Sequence, residues 1–398
     1  MIKPDSTPQT GVAIFALGFR PFFLGAAVFA VLAMLAWMGL YVQGQTYQPG
    51  GVSAMVWHAH EMVYGYAVAV IAGFFLTAVR NWTGRPTASH APLAAIFALW
   101  VAARVCSAMP PPSTLIAAAA FDTLFMLGLM AVLVRPLLCA RQWANLGVVS
   151  LLLPLLVANL CFYAGALGTW SAGMRVGLYA GVYLVLALIF KLLARVLPFF
   201  IERDVGYPVK LTHRPRLGWA SFMLFMGFSV ADFALPGSLL VSVLAMLLAA
   251  LHSLRLFDWH TRGIWGKPLL WTVYGGYAAI TLGFALKALS GLTDAVPAIL
   301  ALHAYTVGGI GLITLGMMAR VSLGHTGRNV MDPPAAVPWM AWLMLGALLA
   351  RVLLPILSPG HYRLWILLSQ GLWVTCFALF LWVYATILAR PQLDGQPG

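Results

Sequence analysis

Twelve apolar runs, most of them about twenty residues long, decide what this chain can become. They fall near 19–43, 52–79, 91–108, 114–134, 144–166, 171–197, 216–235, 238–257, 268–290, 296–319, 336–357 and 362–388. Turns rich in Pro and Gly separate them, as at Pro110-Pro111-Pro112, Pro236-Gly237, Pro333-Pro334 and Pro359-Gly360. In hydrocarbon every backbone N–H and C=O needs a partner inside the protein, which leaves helices or a closed barrel. The apolar–polar alternation of barrel strands is absent. The runs therefore predict an all-α, polytopic integral membrane helical bundle of about twelve transmembrane helices. No segment reads as a soluble domain, so residues 1–398 are expected to form a single transmembrane domain. Only 8% of the residues are charged and 62% are hydrophobic, against about 25% charged in soluble domains. That balance excludes a soluble enzyme, and so apolar a chain collapses rather than staying disordered.

The net charge of +13 does not point to nucleic acid, which would need basic residues gathered on one face. Here they are dealt out singly among loops and helix ends. With the N-terminus inside, eighteen of the 23 Lys and Arg residues, from Lys3 and Arg20 to Arg328 and Arg390, fall at cytoplasmic ends or loops. Arg104, Arg175, Lys287, Arg351 and Arg363 fall at outer ends. That bias predicts both termini in the cytoplasm. Fifteen Trp in a 13% aromatic sequence suit two interfacial belts. Cys106, Cys139, Cys161 and Cys376 show no C-x-x-C spacing and read as small apolar residues. The first apolar run is long and lacks a clear processing site, so it reads as a span rather than a cleaved leader.

Ionisable groups inside a membrane are expensive and point to function. The second helix opens with Trp57-His58-Ala59-His60-Glu61-Met62, and His58 lies about 9 Å below its outer end at 1.5 Å per residue. His303 on the tenth helix, Asp122 on the fourth and Asp232 on the seventh fall in the same outer layer. Neutral imidazole is a common ligand of copper, iron and zinc. His58 and His60 are about 200° apart on a helix, so the pair faces two different places rather than one ion. Glu61 is placed to orient an imidazole N–H. Each histidine reads equally as a hydrogen-bonded helix contact or as part of a proton relay. His252, followed by Arg255 and Asp258, reads as a charge-paired interfacial residue. The outer cations Arg104, Arg175, Lys287 and Arg351 suit ion pairs with Asp122, Asp232 and Glu61, or the propionates of a haem. Arg20 in Phe19-Arg20-Pro21-Phe22-Phe23 reads as an interfacial anchor. The stretch from Arg320 to Arg328 ends the tenth helix with cations and glycines, in the manner of a helix cap or an anionic-group site. There is no C-x-x-C-H, so any haem is b-type, held by axial ligands and packing.

The string WHAHEM at 57–62, with Gly65-Tyr66, Ala72-Gly73-Phe74 and residues 77–84, resembles the NnrS family. FRPFF at 19–23, RVLPFF at 195–200, Pro268-Leu269-Leu270-Trp271 and the stretch 303–328 resemble it too. The resemblance implies a twelve-helix protein of the bacterial inner membrane that contains haem and copper, tied to nitric oxide metabolism and resistance to nitrosative stress. It carries metal candidacy to His58, His60, His303 and His325. The expectation is haem b and copper, with His58, His60 and His303 as ligands, Glu61 beside them and Arg20, Arg351 and His325 serving the cofactor. Nitric oxide or a related small molecule is the expected partner, reached from the lipid bilayer. The resemblance gives no reaction, so turnover, sensing and protection of other proteins stay open. The alternative is a twelve-helix secondary transporter, proton-coupled or anion-carrying, without redox metal. A third reading is an assembly factor for a respiratory enzyme.

Overall fold

The computed structural model describes residues 13–44 and 47–392. Among these it is all-helical, without strands, and carries twelve helices long and apolar enough to cross a membrane. They are α1 (Phe19–Val42), α2 (Ala54–Thr83), α3 (His90–Ala108), α4 (Ser113–Cys139), α5 (Trp143–Ala166), α6 (Gly173–Asp204), α7 (Pro215–Ala234), α8 (Leu239–Trp259), α9 (Pro268–Ser290), α10 (Ala298–Gly324), α11 (Ala336–Leu357) and α12 (Pro359–Ala389). Each of the twelve expected runs is one of these helices. The chain ends, with Lys3, lie outside the described residues.

Local chemistry sets the helix ends. The Ser53 and Ser238 hydroxyls accept from the N–H groups of Val56 and Val241 and cap α2 and α8. Pro215 and Pro268 open α7 and α9, where a missing N–H leaves nothing unpaired. Gly84, at φ +63°, closes α2 in the left-handed turn that glycine takes without strain. Several helices run past their expected ends, and two of them do so through a proline. The runs stop at 134 and 197, before Pro136 and Pro198, yet α4 continues to Cys139 and α6 to Asp204. A proline within the last two turns of a helix removes a single hydrogen bond, and membrane helices absorb that loss.

Helix surfaces divide between core and lipid. On α8, Leu239, Leu240, Val243, Met246 and Leu247 are exposed, while Val241, Ala245, Leu248 and Ala249 are buried. An exposed apolar stripe of that length would be a liability in water and is a lipid face here. The most buried helices are α2 and α9, with 83% and 78% of their apolar windows inside the protein. The described chain gathers into two compact units, one of residues 13–184, Met318–Pro334 and 377–392, the other of Val185–Met317 and Ala335–Cys376. In the first, α1 and α4 pack on α2; in the second, α8, α10 and α11 pack on α9.

Three helices change pitch within the span. α2 widens to a π-helix over Glu61–Ala67, α10 over Ala304–Gly311 and α11 over Leu349–Leu353. Such segments often mark functional sites, and these three fall on or directly after expected site residues: Glu61 opens the first, His303 precedes the second and Arg351 lies in the third.

Candidate functional site

The first unit holds a closed, buried polar network built from four helices. His60 and Glu61 come from α2, Arg104 from α3, Asp122 from α4, and Asn159 and Tyr163, one turn apart, from α5. All six are at most 5% exposed. Arg104 Nη1 donates to Glu61 Oε2 at 2.6 Å, and its Nη2 donates to Asp122 Oδ1. Asp122 Oδ2 also accepts from the Tyr163 hydroxyl at 2.7 Å and from Asn159 Nδ2 at 3.3 Å. His60 Nδ1 lies 2.9 Å from Glu61 Oε1, and its Nε2 lies 2.9 Å from Asn159 Oδ1. A carboxylate accepts only, so Nδ1 carries a proton. Asn159 spends its N–H on Asp122, so its oxygen faces Nε2. Two carboxylates thus face the Arg104 guanidinium and the His60 ring, and pairing of this kind is what lets buried charges stay out of water.

His60 therefore has both ring nitrogens engaged by neighbouring side chains and stacks on Phe162, with centroids 4.1 Å apart. Glu61 orients an imidazole, as expected, but it is the imidazole of His60. His58 points elsewhere, as the 200° step requires. It is half-buried and stacks on Trp37 of α1, with centroids 4.9 Å apart and planes 9° apart.

In the second unit His303 is half-buried on α10, and its Nδ1–H donates to the Ile299 carbonyl at 2.8 Å. A carbonyl accepts only, which fixes the tautomer and puts the lone pair on Nε2. Ligating histidines are commonly oriented in this way. Arg351 Nη1 donates to the Tyr362 hydroxyl at 3.2 Å, and the guanidinium lies over the Tyr362 ring. Lys287 pairs with Asp232 at 2.7 Å. Ion pairing thus accounts for Arg104 and Lys287 among the outer cations.

Arg20 and His325 lie together in the first unit. Arg20 is fully buried, and its Nη1 donates to the carbonyls of Leu388 at 2.9 Å and Arg390 at 2.5 Å. It caps the end of α12, a position that suits a cation. The His325 ring packs on Phe19, its Nε2 lies 3.5 Å from Asn81 Nδ2, and its carbonyl accepts from Gln392. His325 stands just beyond α10. Burial, then the Arg80 guanidinium, holds its imidazole below the ordinary value of 6.5.

Among the described residues no three His, Cys, Asp or Glu side chains gather as a metal-binding group. Of the expected residues His58, His60, His303 and Glu61, His60 and Glu61 belong to the hydrogen-bonded network of the first unit, and His58 faces away from it toward Trp37. Asn159 and Tyr163 were not anticipated as site residues. Their signal was a polar residue and a hydroxyl at i and i+4 on an otherwise apolar helix.

A comparison with protein families matches residues 13–392 to the NnrS protein family, nearly the whole chain. The chain belongs to the NnrS family. Within WHAHEM, on which the resemblance rests, the last histidine and the glutamate build the buried network. A search of the curated proteins finds no match. Among solved structures, the chain resembles one from the cryo-EM structure of a heme-copper terminal oxidase dimer, with TM-score 0.64 and 14% identity, over 94% of this chain and 85% of that chain. At that identity the likeness is one of fold. The fold of this NnrS-family chain is thus one that a helical membrane oxidase also uses.

Proposed function

We propose that this protein is a haem-binding membrane protein of the bacterial response to nitric oxide, with His58 in the first unit and His303 in the second each a residue that would hold b-type haem. The observation that carries the reading is family membership over 13–392, joined to a His303 ring oriented through Nδ1 by the Ile299 carbonyl. The likeness to a heme-copper oxidase chain supports the same reading at the level of fold. Bound haem would supply an iron on which a small apolar gas entering from lipid can bind. His303 would be held by its Ile299 contact, and His58 kept upright by Trp37. The hydrogen-bonded network around Glu61 would stiffen the α2 segment that carries His58.

Copper fits less well. A copper centre needs several soft or imidazole ligands together, and the described residues gather no such set. No step is assigned to copper.

The test is an absorption spectrum and metal analysis of the full-length protein purified in detergent with haem supplied during growth. A Soret band that shifts on adding nitric oxide to the reduced protein is expected. His58→Ala and His303→Ala should each lower haem content at least several-fold while the protein stays monodisperse. Material without haem iron would overturn the proposal, and the absence of copper as well would return the reading to a transporter.

A further inference from the structure

The second unit contains a cavity of about 530 Å3 between α6, α7 and α8, unrelated to the histidines proposed for haem. Its inner wall carries a buried cation with no counter-charge. Arg255 is 6% exposed, yet its partners are neutral: the Tyr277 hydroxyl at 3.2 Å, the Ser221 hydroxyl at 3.2 Å and the face of Trp259. Asp258 also lines the cavity, but its carboxylate is engaged by Arg214 on the same wall, at 2.9 Å and 3.1 Å. Gly218 makes room for this guanidinium, because a Cβ there would stand 2.8 Å from Nη2. A second cation, Lys191, lies over the Phe222 ring at 4.7 Å, and no carboxylate of the described residues is within 4 Å of it.

His252 adds a directed donor. It is 1% exposed and stacks on Phe190, and its Nδ1 lies 2.6 Å from the Tyr277 hydroxyl. Arg255 can only donate to that hydroxyl, and the pairing that uses the hydroxyl's own proton gives it to Nδ1. The His252 proton then sits on Nε2, a buried atom without a partner on the cavity wall. An uncompensated buried charge and an unmet buried donor are both costly, and an anion seated here would answer both. The walls are aromatic. At the rim, Trp219 is 70% exposed and Met223 41%, on the side of α7 that meets lipid. By the charge bias of the sequence this is the cytoplasmic end of the bundle, where basic pockets between helices take anionic lipid heads.

We propose that this cavity binds the phosphate of an anionic phospholipid, with Arg255, Lys191 and His252 Nε2–H as donors and the acyl chains leaving past Trp219. The shared chemistry is a phosphate anion, and the experiment separates lipid from free ion. Delipidated full-length protein in detergent is titrated with phosphatidylglycerol, phosphatidylcholine or sodium phosphate, and bound lipid is counted by native mass spectrometry. The first phosphatidylglycerol is expected to bind at least tenfold more tightly than phosphatidylcholine. Arg255→Gln should erase that preference, and Lys191→Gln should reduce it several-fold. Lys191 is only half-buried, so its variant carries the test if the other fails to fold. Equal binding of the two lipids, or a preference that survives substitution, overturns the proposal. Displacement of the lipid by millimolar phosphate would make this a free-ion site and overturn the lipid assignment. None of these outcomes depends on haem content.

Discussion

At the scale of single residues, the burial of Arg104 decides more than any other contact in the first unit. It answers two carboxylates that have no access to water. Removing one member of a buried pair leaves the other uncompensated, at about 3–5 kcal/mol. Arg104→Met is therefore expected to abolish a monodisperse peak or lower the unfolding midpoint sharply in detergent. Trp219→Ala, on the lipid face, should leave it nearly unchanged. His325 gives a pH signature. Its folded value lies below 6.5, so the unfolded chain takes up the proton first, and stability is lost as pH falls below about 6.5. Thermal midpoints measured from pH 7.5 to 5 should fall less for His325→Gln than for the unsubstituted protein. Position by position, the sequence located the costly groups well: Glu61, Asp122 and Arg104 were legible as intramembrane charges in one layer. What it could not reveal was which neighbour each would choose. His60 shares a motif with His58, and only the α5 face bearing Asn159 assigns it to hydrogen bonds. His252 looked interfacial because Arg255 and Asp258 follow it, whereas packing of Phe190 and Tyr277 puts it inside.

At the scale of elements, hydropathy delivered all twelve helices because a span has a fixed length in lipid. Pitch was not legible, because a π-turn is the result of packing rather than of composition. The widened part of α2 shows the dependence. Gly65 lies in it, the Trp100 indole N–H donates to its carbonyl at 3.0 Å, and a Cβ there would meet Phe29 at 2.6 Å and Arg104 Cδ at 3.1 Å. Gly65→Ala should thus cost about 1–3 kcal/mol through overpacking, visible as a lower unfolding midpoint. Gly84→Ala, past the same helix, meets no neighbour but is strained at φ +63°, with a cost of about 1 kcal/mol. A larger effect at Gly84 than at Gly65 would refute the crowding argument.

For the molecule as a whole, the charge bias makes a directional claim that a reporter can read. A fluorescent protein fused to the C-terminus should glow, and alkaline phosphatase fused there should stay inactive. The reverse would invert the assignment of every loop. The Glu61–Arg104–Asp122 charge cluster at the heart of the first unit has a consequence for biogenesis. Glu61 leaves the ribosome 43 residues ahead of Arg104, and Asp122 follows 18 residues after that. Until then α2 carries a carboxylate whose counter-ion has not been synthesised, a penalty of about 3 kcal/mol on insertion scales. The segment should linger at the translocon until its neighbours emerge, and a nascent chain halted after α2 should partition poorly into the bilayer.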